Sequence, residues 1–276
     1  MITITYREAR RVKAGFATIA LRQLDVLDAI DKAAAAGFHA VEIWGRPPHT
    51  PAPYDKNHTL AIRERLETNG MAAAVFGSYV NSAAPEFEHE AAVALEIACT
   101  LGASIIRVWA GDKEPPFASD DEWTDNAARL KWMCERAADE GVTLAMEMHG
   151  GTLALTPEGV LHLIELADSD NLKLNYQVND PTNHDLERSV ALVGPHVVMV
   201  HAQNFTHSPS GSPQPLERSL IQDGLVDYAH LLSLLKPHGF DGLIEVEFLK
   251  GEPDLQAMLD ALQKDALYLD KITAET

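Results

Sequence analysis

Short β-rich apolar runs recur along the chain, each followed by a polar loop, an amphipathic stretch and a glycine before the next run. The runs are "RVKAGFATI" from Arg11, "AVEIW" from Ala40, "AAAVFGS" from Ala72, "SIIRVWA" from Ser104, "VTLAMEMH" from Val142, "LKLNYQV" from Leu172, "VVMVHAQ" from Val197 and "LIEVEFL" from Leu243. Between them lie helical patterns such as "RQLDVLDAIDKAAAAG", "EHEAAVALEIACTLG", "DNAARLKWMCERAADEG", "TPEGVLHLIELADS" and "DYAHLLSLLKPHG". Several end in glycine, the residue best suited to a left-handed helix terminus. Eight such units without a low-complexity linker predict an α/β fold, one (β/α)8 TIM barrel covering residues 1–276 as a single domain. Only Asn204–Gly224 reads as a long Pro/Ser/Gly-rich loop. It follows the seventh strand, on the side where barrel loops carry chemistry, and suggests a lid or active-site loop.

Composition narrows the possible partners. The 276 residues are 46% hydrophobic, enough for a large core, and 41 acids against 22 bases give a formal charge of −19. That surplus repels phosphate backbones and anionic lipid, so neither nucleic acid nor a membrane is an expected partner. No run approaches membrane-spanning length, and the charged start "MITITYREARRVKAG" has no apolar signal core, so a soluble cytoplasmic protein is expected. Cys99 and Cys134 lie in helical patterns without a neighbouring Cys or His at metal spacing and read as buried free thiols.

The chemistry is concentrated where polar residues interrupt the late strands. Side chains alternate across a strand, so Glu245 and Glu247 share one face of "LIEVEFL". Burying an unpaired carboxylate is costly, and each acid needs a cation, a proton or a metal. By the same alternation Glu147 and His149 share a face, as do Asn175, Gln177 and Asn179, and His201 and Gln203. Two glutamates, a glutamine and a histidine at one depth suit a divalent cation such as Mn²⁺, Zn²⁺, Co²⁺ or Mg²⁺. Glu245 lies one layer deeper. Arg107, also inside an apolar run, is its expected ion-pair partner, ahead of Lys173, which can snorkel outward.

The segments "GFHAVEIW", "GVTLAMEMHGG", "TPEGVLHLIELADSDNLKLNYQ", "VVMVHAQN" and "DGLVDYAHLLSLLKPHGFDGLIEVEF" resemble, in order, the xylose isomerase-like TIM-barrel superfamily. This group of sugar phosphate isomerases and epimerases includes ketose 3-epimerases, hydroxypyruvate isomerases, inosose dehydratases and apurinic-site endonucleases. The resemblance runs from about Leu24 to about Lys250 and is most specific at its C-terminal end. It implies one divalent metal held by Glu147, His201 and Glu247, with a fourth ligand from the sixth strand. There the usual Asp, followed three residues later by His, reads as Gln177 and Asp180. A glutamine offers a carbonyl oxygen without charge, so the ligand set falls from about −3 to about −2. Asp180 sits in the turn-like "NDPTNHD" and could face solvent. The endonuclease branch is disfavoured, because its His- and Asp-rich three-metal pattern is missing after the sixth and seventh strands.

The resemblance also implies a mechanism: a metal chelates adjacent carbonyl and hydroxyl oxygens, and Glu147 and Glu247 move the proton of the enediolate. His149 could bind a substrate hydroxyl or support the metal site; Gln203 and Asn204 could bind hydroxyls or satisfy loop backbone; Asn179 is a further contact candidate. Trp44 and Trp109 could wall a sugar pocket or simply pack. His49 and His207 fall on loops, where substrate contact is conceivable, and Arg46 and Arg218 are the basic residues at the mouth. The leading expectation is an isomerase or epimerase of a keto sugar or related polyol, assembled as a dimer or tetramer. A lyase using the same first step, of the inosose dehydratase or C-glycoside-cleaving kind, and a non-catalytic sugar-binding barrel are the alternatives.

Overall fold

The computed structural model describes residues 12–208, 216–251 and 254–276. Seven parallel strands, β1 (Lys13–Ala17), β2 (Ala40–Trp44), β3 (Ala72–Asn81), β4 (Ile105–Trp109), β5 (Thr143–Glu147), β6 (Leu172–Tyr176) and β7 (Val197–Ala202), lie side by side. A hairpin of β8 (Asn204–His207) and β9 (Leu216–Ser219) follows, and β10 (Leu243–Val246) then closes the barrel between β7 and β1. All eight expected strands are present, although Arg11, the expected start of the first, lies outside the described residues. Right-handed crossovers through helices are the standard way to join parallel neighbours, and the helix–glycine–strand rhythm of the sequence encodes them.

The outer layer consists of α1 (Val26–Ala35), α2 (Lys56–Thr68), α3 (Phe87–Leu101), α4 (Asp120–Asp139), α5 (Pro157–Ala167), α6 (Leu186–Val193), α7 (Tyr228–Leu235) and α8 (Leu255–Ala274). Their starts are chemically marked. Asp25, Asp55, Thr156, Asp185, Asp227 and Asp254 each accept a backbone N–H in the first turn, and Ser119 with Glu122 forms a reciprocal capping box on α4. The cap at Asp25 starts α1 at Val26, four residues after the Arg22 at which its pattern begins. Helix α2 shows little sequence signal because only Thr59, Ile62 and Leu66 of its face are buried. Among the described residues no helix is long and apolar enough to cross a membrane. Cys134 is buried as expected, but Cys99 is exposed, since it falls on the outer side of α3 beside Glu140.

The barrel interior is layered. Ala40, Val75, Ala145, Met199 and Leu243 form an apolar floor separate from the main core between barrel and helices. Above the floor the same strands present Glu42, Arg107, Glu147, Asn175, His201 and Glu245, all buried. Small residues make the room. A Cβ on Gly77 would lie 2.3 Å from Glu42 Oε1, and one on Gly15 would lie 2.6 Å from Leu243 Cδ1 and 3.2 Å from the Glu245 Cβ. Glycine is required at these two points because the facing strands carry long side chains.

The stretch after β7 is more structured than its composition suggests. It forms the β8–β9 hairpin and a short 3-10 turn at Ile221–Asp223, with residues 209–215 outside the described part. Buried Asn204 fastens it, donating to the Ile221 and Val226 carbonyls and accepting from Val226 N–H. Asn204 therefore satisfies loop backbone rather than reaching a ligand. Asp265 of α8 adds a second tie, its Oδ1 accepting the Ile221 N–H at 2.8 Å. Burial pushes the Asp265 carboxyl up from 3.8 to about 7, and Oδ2 has no hydrogen-bond partner. The folded chain thus holds this proton more tightly than the unfolded chain, and stability should fall as pH rises from about 4 through about 7. Asp265→Asn retains the acceptor and removes the ionisation. Its melting temperature relative to wild type should rise between pH 5 and pH 8; a constant difference across that range would contradict the assignment.

Candidate active site

Four acids, one arginine and one histidine converge near the carboxyl ends of the strands. His201, on β7, is the hub. Its Nδ1 lies 3.7 Å from Glu147 Oε1 and 3.6 Å from Glu247 Oε1, while its Nε2 lies 3.1 Å from Glu245 Oε1 and 3.3 Å from Glu42 Oε2. The register explains the lower contact, since Glu245 and His201 are direct partners across β10 and β7. His201 Nε2 is hydrogen-bonded to Glu42 below, and Nδ1 faces the upper carboxylates.

Arg107 corrects one expectation. It does not pair with Glu245: its Nη1 lies 3.1 Å from Glu147 Oε2 and its Nη2 lies 3.6 Å from Glu42 Oε1. The reason is geometric, because β4 adjoins β5 and β3, and β10 is on the far side of the barrel. Glu245 has Glu42 and His201 as its company instead. Glu42 itself was legible only as an inward position in "AVEIW"; no sequence neighbour indicates that it meets His201, 159 residues away.

The cluster divides by charge preference. Burial favours the neutral acid at both Glu147 and Glu42, but Arg107 and His201 outweigh it and hold both below the ordinary carboxylate value. Burial prevails at Glu245, where the Glu42 charge adds to it, and at Glu247, despite the opposing His201 charge, so both are raised. His201 is raised well above its ordinary value: burial opposes the charge, but Glu247 and Glu42 together win. Four carboxyl groups thus share one buried site with Arg107 and His201, and the raised Glu245 and Glu247 take up protons more readily than the lowered Glu42 and Glu147.

A divalent cation fits this arrangement. Binding one would displace protons from the imidazole and carboxyl groups that face it, because a ligand atom must be deprotonated. Ligand atoms of Glu147, His201 and Glu247 all lie within 4.8 Å of one another. His201 Nδ1, Glu247 Oε2 and Gln177 Oε1 are buried and lack a hydrogen-bond partner. Gln177, just beyond β6, is itself buried and so available as the uncharged fourth oxygen. Asp180 is exposed and accepts from Thr182 N–H and Oγ1–H in a local turn, away from the cluster.

Residues just beyond the ends of β5, β6 and β7 line a cavity of about 590 Å³, among them His149, Gln177, Asn179 and Gln203, with Phe205 and Arg218 from the hairpin. Asn179 is exposed there and donates to the Leu155 carbonyl. His149 Nδ1–H donates to the Gly150 carbonyl 2.7 Å away, and its ring packs 4.5 Å from Trp109. Trp109 in turn stacks on Tyr79 at 5.8 Å, and Trp44 Nε1–H donates to the Tyr79 hydroxyl at 2.9 Å. Trp44, Tyr79, Trp109 and His149 therefore form one continuous wall, with the buried Trp109 Nε1–H unpartnered. Tyr79 lay one residue beyond the sequence-read strand "AAAVFGS"; β3 continues to Asn81 and carries it to the mouth. His49 is not on an open loop: it is fully buried, hydrogen-bonded to Thr18 and to the Leu24 carbonyl. His207 is exposed on β8.

Comparison with known proteins places the geometry in context. An uncharacterised protein of Methanocaldococcus jannaschii is 23% identical over 250 residues, 86% of this chain and 83% of its own length. A 3-dehydroshikimate dehydratase of Bacillus anthracis is 26% identical over 172 residues, 59% of this chain and 61% of its own length. Among solved structures, the probable 3-DHS dehydratase AsbF of Bacillus anthracis superposes with a TM-score of 0.77 at 20% identity, covering 94% of this chain and 99% of that one. The IolI protein with a bound zinc atom gives 0.77 at 16% identity, covering 96% and 99%, and a D-tagatose 3-epimerase-like protein gives 0.72 at 20%, also covering 96% and 99%. The xylose isomerase-like TIM barrel model matches residues 30–267. With that match across most of its length, and with the closed eight-stranded barrel, this chain belongs to the xylose isomerase-like TIM barrel family.

Proposed function

We propose that this protein is a divalent-metal-dependent isomerase or epimerase that enolises a keto sugar or related polyol. The observation that carries the reading is the ligand-sized cluster of Glu147, His201 and Glu247, with buried, unpartnered atoms on His201 and Glu247, together with the unpartnered Gln177 Oε1 on a residue that lines a cavity. Oxygen donors with one imidazole suit Mn²⁺ best, with Mg²⁺, Co²⁺ or Zn²⁺ as alternatives. A cation held by Glu147, Gln177, His201 and Glu247 would polarise the substrate carbonyl and acidify the adjacent C–H.

The protein's own groups divide the remaining work. Glu147 and Glu247 face the cluster from β5 and from the end of β10, so a carbon between them can lose a proton to one and regain it from the other. The two are not equivalent. Arg107 anchors Glu147 through an ion pair, whereas Glu247 Oε2 has no partner and is the freer proton acceptor. The wall of Trp44, Tyr79, Trp109 and His149 offers apolar faces for a ring and one free indole N–H, and Gln203 and Asn179 provide amides at the rim.

A second reading shares the enolisation and ends in loss of a β-substituent, as a lyase. Similarity to the dehydratase of Bacillus anthracis favours it. A barrel that only bound sugar would have no use for four buried acids around one histidine, whose desolvation costs stability without contributing to affinity.

Elemental analysis of purified protein should find near-stoichiometric divalent metal in wild type and little in Glu247→Gln. Chelator should lower the wild-type melting temperature by several degrees, as expected for about 3 kcal/mol of ligand stabilisation at a hundredfold excess over Kd. Absence of metal together with no response to added Mn²⁺ would sink the proposal. In deuterated water, wild type should exchange the C–H next to the carbonyl of a keto substrate, and Glu147→Gln and Glu247→Gln should each slow this by about 100-fold or more. A product of unchanged mass apart from deuterium identifies the isomerase; a product lighter by one water identifies the lyase.

A further inference from the structure

Arg218, on β9, projects its guanidinium onto the rim of the cavity. Its central carbon lies 4.1 Å from the centre of the Phe248 ring and 5.6 Å from that of Phe205, and Nη2 donates to Gln203 Oε1 at 3.3 Å. Phe248 directly follows Glu247, and Gln203 lies two residues beyond His201. The guanidinium is thereby fastened to the two strand ends that carry candidate metal ligands. Stacking on an aromatic face orients the planar fork and leaves N–H edges free.

Among the described residues no carboxylate lies within ion-pair distance of Arg218, in a chain with 41 acids against 22 bases. Its hydrogen-bond acceptor is a neutral amide. Arg22, just past the turn Thr18–Leu21 that ends β1, has no ion-pair partner either. The Arg218 pKa is lowered, first by burial, with the Glu247 charge acting in the opposite sense and the Arg22 charge adding to the lowering. A guanidinium at a cavity rim with no carboxylate in ion-pair distance is stabilised when an anion enters.

We propose that the substrate carries an oxyanion, a carboxylate or a phosphate, and that Arg218 receives it on the β7–β10 side of the mouth. The inference rests on the enolisation reading for the identity of the bound molecule as substrate. The anion is held beside Glu247, so the reacting carbon reaches the cluster while the charged group stays at the rim. A bidentate Arg–oxyanion pair is directional and charge-assisted, which makes this contact the discriminator between anionic and neutral sugars.

Calorimetric titration with inorganic phosphate and with shikimate tests the site without turnover, and the tighter of the two identifies the anion class. Wild type should bind at least one, Arg218→Gln should weaken it by about tenfold or more, and Arg218→Lys should recover only part, because an ammonium cannot form the fork. Binding of neither probe, or affinity undiminished in Arg218→Gln, overturns the inference. Solvent-deuterium exchange into fructose, fructose 6-phosphate and 3-dehydroshikimate supplies the second arm. An anionic compound should exceed fructose by about tenfold or more in kcat/KM, with Arg218→Gln raising KM more for that compound than for fructose. Exchange into fructose as efficient as into both anions overturns the inference. Exchange into none, with anion binding intact and dependent on Arg218, overturns the enolisation reading and leaves the anion site standing.

Discussion

The burial of four glutamates around one histidine is the constraint to which the rest of this barrel answers. Glu42, Glu147, Glu245 and Glu247 are all taken out of water within reach of His201. A cluster of that kind is stable only if protons, arginine or metal neutralise it. Arg107 provides the one permanent positive charge and spends it on Glu147 and Glu42. Glycines at 15 and 77 and the alanine at 145 give up side-chain volume so that the long acids fit above the apolar floor.

His201 divides the cluster into two levels with different roles. Below, Glu42 and Glu245 engage Nε2; above, Glu147 and Glu247 face Nδ1. The lower pair fixes the ring's orientation, which is how carboxylates beneath metal-binding histidines commonly act. It also bears on the departure at Gln177. Gln177 brings no charge to this level of the barrel, and Glu42 adds an anion one level deeper.

The mouth has two unlike sides. One is aromatic, running from Trp44 through Tyr79 and Trp109 to His149. The other holds Gln203, Phe248 and Arg218, where the β8–β9 hairpin is tied down by Asn204 and by Asp265 of α8. A stretch rich in Pro, Ser and Gly thus contributes a guanidinium held by Gln203 and Phe248. Its position relative to the acids depends on hydrogen bonds from a helix at the other end of the chain's final third.

Local pattern was sufficient for much of this protein. The period-two and period-3.6 alternation, with glycine at helix ends, determined eight strand–helix units and therefore the barrel, because parallel strands of that number close on themselves. Strand alternation also determined that Glu147, Gln177, His201, Glu245 and Glu247 point inward, since the face of a residue depends only on its neighbours. Which inward residues meet was decided by the tertiary structure alone. Arg107 and Glu245 both lie inside apolar strands, but only strand order and stagger place one beside Glu147 and the other beside His201. Glu42 and Tyr79 joined the site for the same reason: a contact across the barrel is set by closure and by the depth at which each strand enters, and neither quantity is written in any short stretch of sequence.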